Sequence, residues 1–200
     1  MKYFISAIGT DSGKTLVSAI FCKALQAAYW KPIQAGFPTD SEQIKKWQCA
    51  SKILKELYVL NTPASPHAAA KIDGVDLKLD EFMLPEHDGN LIVEGAGGLM
   101  VPINDNEFIV DLINQLRLEV VLVCNLYLGS INHSILSIEA LKSRNIPIKG
   151  IVFNGESNSE SESIILKHAQ TECLLRIPKL DGLNDNLISM YADLLKSKIL

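Results

Sequence analysis

The sequence is poor in the features that mark several common functional classes. Its four cysteines, Cys22, Cys49, Cys124 and Cys173, are widely and irregularly spaced and form no C-x-x-C pair. This speaks against a zinc ribbon or a disulfide framework, and for reduced, mostly buried thiols as in a cytoplasmic protein. No two of the four histidines have zinc-ligand spacing. No apolar run approaches the ~20 residues that a membrane helix needs, and the stretch after Lys2 is too short for the core of a signal peptide. Basic residues are outnumbered, 19 Lys and Arg against 23 Asp and Glu, and they form no block or amphipathic stripe. The net charge of −4 therefore argues against nucleic acid or a membrane surface as partner. Ser12 and Ser65 stand outside any G-x-S-x-G context, which leaves a serine hydrolase unsupported.

Apolar residues, by contrast, make up 48% of the chain, enough for a core covered on both sides. "KYFISAI" reads as a strand. In "GKTLVSAIFCKALQAA", Leu16, Val17, Ile20, Phe21, Ala24, Leu25 and Ala28 recur at helical spacing. A short second strand ends at Trp30. Further strands are expected at "NLIVEG", "EVVLVCNL", "PIKGIVFN" and "CLLRIP", whose unbroken apolar runs suit strands buried on both faces. Helices are expected over 40–57, 107–117, 131–144, 161–169 and 185–198. "NTPASPH" and the polar "NGESNSESES" are expected to be loops, the second exposed and mobile. This alternation predicts an α/β fold, a three-layer α-β-α sandwich around a mainly parallel sheet, in one domain over 1–200. Ligands of such sheets bind beyond the carboxyl ends of the strands.

The first such end carries "GTDSGKT", residues 9–15. It departs from the common phosphate-loop spacing, because position 8 is Ile8 and the glycine is Gly9. Read alone, it is a polar turn that caps a helix. Its context supplies more: a strand before, a helix N-terminus after, Gly9 and Gly13 for tight turns, Lys14 to reach β- and γ-phosphates, and the Thr15 hydroxyl for Mg²⁺. Asp11, an anion in an anion site, is expected to point away from the phosphates or towards a substrate amine. In "NLIVEGAGGLMVPI", Glu94 follows a strand, where a metal-facing carboxylate belongs, and Gly95, Gly97 and Gly98 allow close backbone approach. In "WKPIQAG", Lys31 sits at the end of the second strand and is either a surface lysine or an ammonium aimed at a γ-phosphate. Asp40 is a second metal carboxylate, the N-cap of the next helix, or both. His67 and His133 are candidate substrate contacts; His87 and His168 read as surface residues.

These motifs, with "TPASPH", "LGSINH" and "VFN" in the same order, resemble the dethiobiotin synthetases over most of the chain. Those P-loop NTPase-like enzymes use ATP to close the ureido ring in biotin synthesis. The resemblance implies an ATP- and Mg²⁺-dependent cyclo-ligase that acts on 7,8-diaminononanoate and CO₂ as a cytoplasmic homodimer. It implies that Asp11, Ser12, Gly13, Lys14, Thr15 and Leu16 cradle the ATP phosphates, that Thr15, Asp40 and Glu94 hold Mg²⁺, and that Asp40 and Glu94 also bind ATP, with Glu94, Gly95, Ala96 and Gly97 lining the nucleotide. Asn154 and Gly155 would meet the adenine, with Pro178, Lys179 and Leu180 forming the loop on the base side. Lys14, Lys31 and Thr10 would act in catalysis. Lys31, Ala35, Ser65, Gly129 and Asn132 would contact substrate, the last two from a segment at the dimer interface. A serine near the substrate in some members is Ala35 here, and an aspartate after the adenine-reading asparagine is Gly155.

Two other classes stay open from the residues. A partitioning-type regulatory ATPase shares the expected fold but carries a second lysine five positions before the phosphate-loop lysine, where this chain has Gly9. An ATP-dependent amidating enzyme of cobalamin synthesis usually adds a glutaminase domain, for which 200 residues leave no room.

Overall fold

The computed structural model describes residues 1–180, 182 and 185–200. The strands are β1 (Lys2–Ala7), β2 (Ala28–Trp30), β3 (Ile33–Ala35), β4 (Lys52–Leu54), β5 (Tyr58–Leu60), β6 (Leu91–Gly98), β7 (Glu119–Asn125), β8 (Ile148–Asn154) and β9 (Cys173–Ile177). The helices are α1 (Lys14–Leu25), α2 (Asp40–Lys46), α3 (Pro66–Asp73), α4 (Ile109–Leu116), α5 (Ser130–Lys142), α6 (Ser159–Ala169) and α7 (Asp185–Ile199). Seven strands form one parallel sheet in the order β4-β2-β6-β1-β7-β8-β9. A separate parallel pair, β3 and β5, lies beside it.

The side-chain period of two divides each central strand between two cores. Tyr3, Ile5, Ile92, Val121 and Val123 pack with α1, Ile44 of α2, and α7. Phe4, Leu91, Val93, Val120 and Leu122 pack with residues of α3, α4, α5 and α6. With helices on both faces, the sheet is the expected α-β-α sandwich, and β1 at its centre sends the 8–13 loop out at its carboxyl end.

Several local expectations are corrected. The helix expected over 40–57 stops at Lys46, and Gln48 turns left-handed at φ 48°. Beyond it lie β4, which pairs with β2, and β5, which pairs with β3. Thr39, not Asp40, is the N-cap of α2: its hydroxyl accepts from Glu42 N (3.1 Å) while Glu42 Oε2 accepts from Thr39 N (2.8 Å), a capping box. "NTPASPH" is a loop only to Ser65, because Pro66 starts α3 at a position where a missing N–H costs nothing. The polar stretch 154–163 is a loop only to Asn158, whose side chain accepts from Ser161 N (2.9 Å) and caps α6. Glu162 is buried there against Arg176 at 2.5 Å. Finally, Glu94 lies within a strand rather than after one: β6 runs on to Gly98 because the β1 register shifts between Ile5 and Ala7.

Candidate active site

The phosphate-type loop is fixed from three sides. Asp11 (φ 56°) and Gly13 (φ 93°) both adopt left-handed backbone. A Cβ at Gly13 would lie 2.3 Å from Asn154 Nδ2, so glycine meets both a conformational and a steric demand. Asn154 Nδ2 donates to Ser12 O (2.9 Å), and the buried Ser12 hydroxyl lies 2.8 Å from Asn125 Oδ1 and 3.1 Å from Gly9 O. The ends of β7 and β8 thus hold the loop that leaves β1. Lys14, first residue of α1, donates to Gly9 O (3.0 Å). Burial and the neighbouring Lys31 ammonium lower its pKa to about 8, against the opposing pull of Glu94, Asp40 and Asp11.

Beside it, three oxygen-bearing side chains from three elements converge. Thr15 Oγ1 lies 2.9 Å from both Asp40 Oδ1 and Glu94 Oε1. Lys31, only 4% exposed, bridges the same carboxylates at 2.6 Å from Asp40 Oδ2 and 3.0 Å from Glu94 Oε1, and donates to Gly95 O (3.0 Å). Lys31 is therefore not a surface lysine. Burial opposes its charge, but Glu94 and Asp40 outweigh that and raise its pKa. Burial would raise Asp40, but Lys31 brings its pKa below the ordinary value. Among the described residues no group of three or more His, Cys, Asp or Glu is placed to hold a metal. The donor set is thus two carboxylates and a hydroxyl, all hard oxygens. This fits Mg²⁺, which takes one or two carboxylates and completes its shell with water and phosphate.

These groups line a cleft of about 690 Å³ together with Thr10, Asp11, Gly13, Ala35, Ser65, Ala96 and Gly97. The rest of its lining is largely apolar: Ile33, Ala35, Pro63, Ala64, Pro66 and Val101. The remaining residues singled out from sequence do not line this cleft. Leu16 packs into the α1 core. Gly95 sits on β6 against the Phe4 ring. Asn154 ends β8, and Gly155 N donates to Ile177 O (2.9 Å), joining that end to β9. Pro178 and Lys179 follow β9 exposed, while Leu180 is half-buried. Gly129 caps α5 at φ 104°, and Asn132 is exposed on its first turn. His133 meets Tyr127 through Nδ1, and His67 Nδ1 lies 3.1 Å from Ser65 Oγ.

Three residues of this region were not found from sequence. Asn125 clamps Ser12, and its position at a strand's carboxyl end was a usable signal. Gln34 accepts from Asp40 N (3.1 Å) and donates to Gly36 O (3.0 Å), so it closes the short turn that carries Asp40. Tyr29, fully buried, donates to Glu94 Oε2 (2.9 Å).

Comparison with known proteins agrees with this geometry. Residues 1–186 match a family model described as an AAA domain. The chain is 53% identical over 195 residues to the ATP-dependent dethiobiotin synthetase BioD of Cytophaga hutchinsonii, covering 96% of this chain and 95% of that one. It is 47% identical over 202 residues to the BioD of Christiangramia forsetii, covering 99% and 97%. It is also 47% identical over 187 residues to the BioD of Rhodopseudomonas palustris, covering 92% and 90%. A crystal structure of a ParA family ATPase from Chlorobium tepidum superposes with a TM-score of 0.50 over 98% of this chain and 95% of that one, at 14% identity, a likeness of fold alone. A loop that offers Lys14 and Thr15 beside paired carboxylates, on a parallel sheet of the P-loop NTPase kind, is thus carried by a chain that belongs to the ATP-dependent dethiobiotin synthetase family of ligases.

Proposed function

We propose that this chain converts 7,8-diaminononanoate, CO₂ and ATP into dethiobiotin, ADP and phosphate. One observation carries the reading: a single cleft is lined both by the linked polar set Lys14, Lys31, Thr15, Asp40 and Glu94 and by apolar side chains that include Ile33, Ala35, Pro63 and Val101. The polar set suits a triphosphate with its metal, and the apolar side chains suit an alkyl chain.

One substrate amine takes up CO₂ and loses a proton, giving a carbamate. A carbamate oxygen attacks the γ-phosphorus and ADP leaves. The second amine, uncharged, then attacks the carbamoyl carbon of the mixed anhydride, the C–O bond to phosphate breaks, the nitrogen gives up a proton to the departing phosphate, and the ring closes. No enzyme nucleophile is needed, so the residues work by positioning and charge. Lys14 would bind the β- and γ-phosphates once released from Gly9 O. Lys31 would stabilise charge on the transferring phosphoryl group, and Thr10 would orient the carbamate beside it. Asp11, exposed in the cleft lining, suits an incoming ammonium. Thr15, Asp40 and Glu94 would hold Mg²⁺, which when bound neutralises phosphate charge. Backbone of 11–16 and 95–97 would cradle the phosphates, with Asn154, Gly155 and Pro178–Leu180 on the base side.

Ser65 and Ala35 are assigned to the diamine, and Gly129 and Asn132 to its far end from a second copy of the chain. The exposure of Tyr127, Leu128 and Ile131 beside them supports a homodimer. We place the enzyme in the cytoplasm, a reading supported by the four free cysteines. No helix among the described residues is long and apolar enough to cross a membrane.

The test is a product assay with 7,8-diaminononanoate, bicarbonate, Mg²⁺ and ATP. Dethiobiotin that requires all four supports the proposal. ADP without dethiobiotin would overturn it in favour of another substrate or a switch ATPase.

A further inference from the structure

The carboxylate of Glu94 has two oxygens with different duties. Oε1 faces the cleft, 2.9 Å from Thr15 Oγ1 and 3.0 Å from Lys31 Nζ. Oε2 turns inward, where the hydroxyl of Tyr29 meets it at 2.9 Å. The contact follows from the sheet. Tyr29 of β2 is the register partner of Ile92 on β6, and Glu94, two residues on, projects from the same face. Tyr29 is fully buried and does not line the cleft, so it touches no ligand.

We propose that Tyr29 is a positioning residue for the metal site, donating to Glu94 Oε2 so that Oε1 alone is presented beside Thr15 and Asp40. The inference rests on the reading of Glu94 as a metal ligand. A phenol facing a carboxylate oxygen has one proton to give, and the carboxylate can only accept, so the direction of this bond is set by the two groups themselves. Removing it strands a buried carboxylate oxygen, which then turns towards whichever donor remains, Lys31 or Thr15. Outer partners of metal ligands typically tune metal affinity 10- to 100-fold.

The experiment is calorimetric binding of ADP, with EDTA and over a Mg²⁺ series, to the parent protein and Tyr29→Phe, with Mn²⁺ electron paramagnetic resonance as a direct count of bound metal. Tyr29→Phe is expected to bind ADP in EDTA within about twofold of the parent, while the half-saturating Mg²⁺ concentration rises about tenfold. A loss of stability alone, with the Mg²⁺ series unchanged, would overturn the proposal, because a purely structural tyrosine gives that result. A parent protein whose ADP affinity ignores Mg²⁺ would sink the metal site and this inference with it. If Tyr29→Phe does not fold, the parent labelled with fluorotyrosine gives the same answer. Its five tyrosines can be assigned by single Phe changes at Tyr3, Tyr58, Tyr127 and Tyr191. The remaining resonance should shift when Mg²⁺ is added to the ADP complex, and a static resonance refutes the role.

Discussion

The two halves of the sheet treat polarity differently at their carboxyl ends. On the β1, β2 and β6 side, besides the exposed Asp11, stand four charges, Lys14, Lys31, Asp40 and Glu94, each held by one or more of the others or by backbone. On the β7, β8 and β9 side the bonded groups are neutral, Asn125, Asn154 and Gly155, and the charged Lys179 after β9 is exposed. Burying an unpaired charge is far costlier than burying an amide with its hydrogen bonds made. The charged half must therefore be interlocked, two cations against two anions, whereas the neutral half needs only to be stiff. Ser12 joins the halves, since its loop belongs to the charged side and both of its clamps, Asn125 and Asn154, to the neutral one.

The largest effect is expected from breaking the charged half. Lys31→Ala should lower kcat about 10³-fold, the upper range for removal of one electrostatic stabiliser, and leave ATP affinity within about threefold. It should also destabilise the ligand-free protein by roughly 3 kcal/mol, because buried Glu94 loses its ion pair. Turnover and calorimetry check the first part, and thermal unfolding checks the second. Unchanged turnover would remove Lys31 from the mechanism.

The second prediction compares the site with the scaffold. Gly13→Ala places a Cβ 2.3 Å from Asn154 Nδ2 at φ 93°, and Gly150→Ala places one 2.5 Å from Leu174 Cγ. The first should weaken nucleotide binding about 10- to 100-fold through ~1–3 kcal/mol of loop strain. The second should cost ~1–3 kcal/mol of stability through overpacking and leave nucleotide affinity alone. Equal effects on affinity would mean that the loop clamp is not specific to the site.

The third concerns protons. Ligand-free Lys14 loses its proton near pH 8, well below an exposed lysine. Phosphate favours the ammonium and so raises that pKa in the complex. Binding should therefore take up a proton above pH 8, and affinity should fall about tenfold per pH unit there, with no contribution from this group at pH 6.5. Calorimetry in buffers of different ionisation heat measures the uptake, which Lys14→Met should abolish. Uptake absent at pH 9 would refute the assignment.

Much of this was legible in the sequence where signals are local. The apolar run of β1, the turn residues 9–15 and the helical spacing of α1 lie within one stretch, and together they fixed the central unit and its chemistry. The three-residue strands β3, β4 and β5 are too short to show a period, and so β4 is absorbed into one helix over 40–57 while β3 and β5, on either side of it, give no signal. The supporting partners were hidden for a different reason. Tyr29 and Glu94 are 65 residues apart, and Ser12 and Asn125 are 113 apart. No periodicity links them, and only the strand order β2-β6-β1-β7 brings them together.

The smallest effect, and the one that most sharpens the comparison, is expected at Asn154. Its Nδ2 is committed to Ser12 O, which leaves Oδ1 as an acceptor at the end of β8. An acceptor suits the exocyclic amino group of adenine and opposes the carbonyl that guanine carries at the same place. Two substitutions separate these tasks. Asn154→Asp keeps an acceptor and loses the donor, so ATP affinity should fall about fivefold, the worth of one hydrogen bond of ~1 kcal/mol, while preference for ATP over GTP survives. Asn154→Ala loses both, so affinity should fall further and the preference should shrink towards parity. Competition binding of ATP and GTP to the three proteins decides it. If both variants lose affinity equally and neither changes preference, Asn154 serves only to clamp the loop. Base selection would then fall to Gly155 and the Pro178–Leu180 backbone, where neutral groups can read an edge without any charge to hold in place.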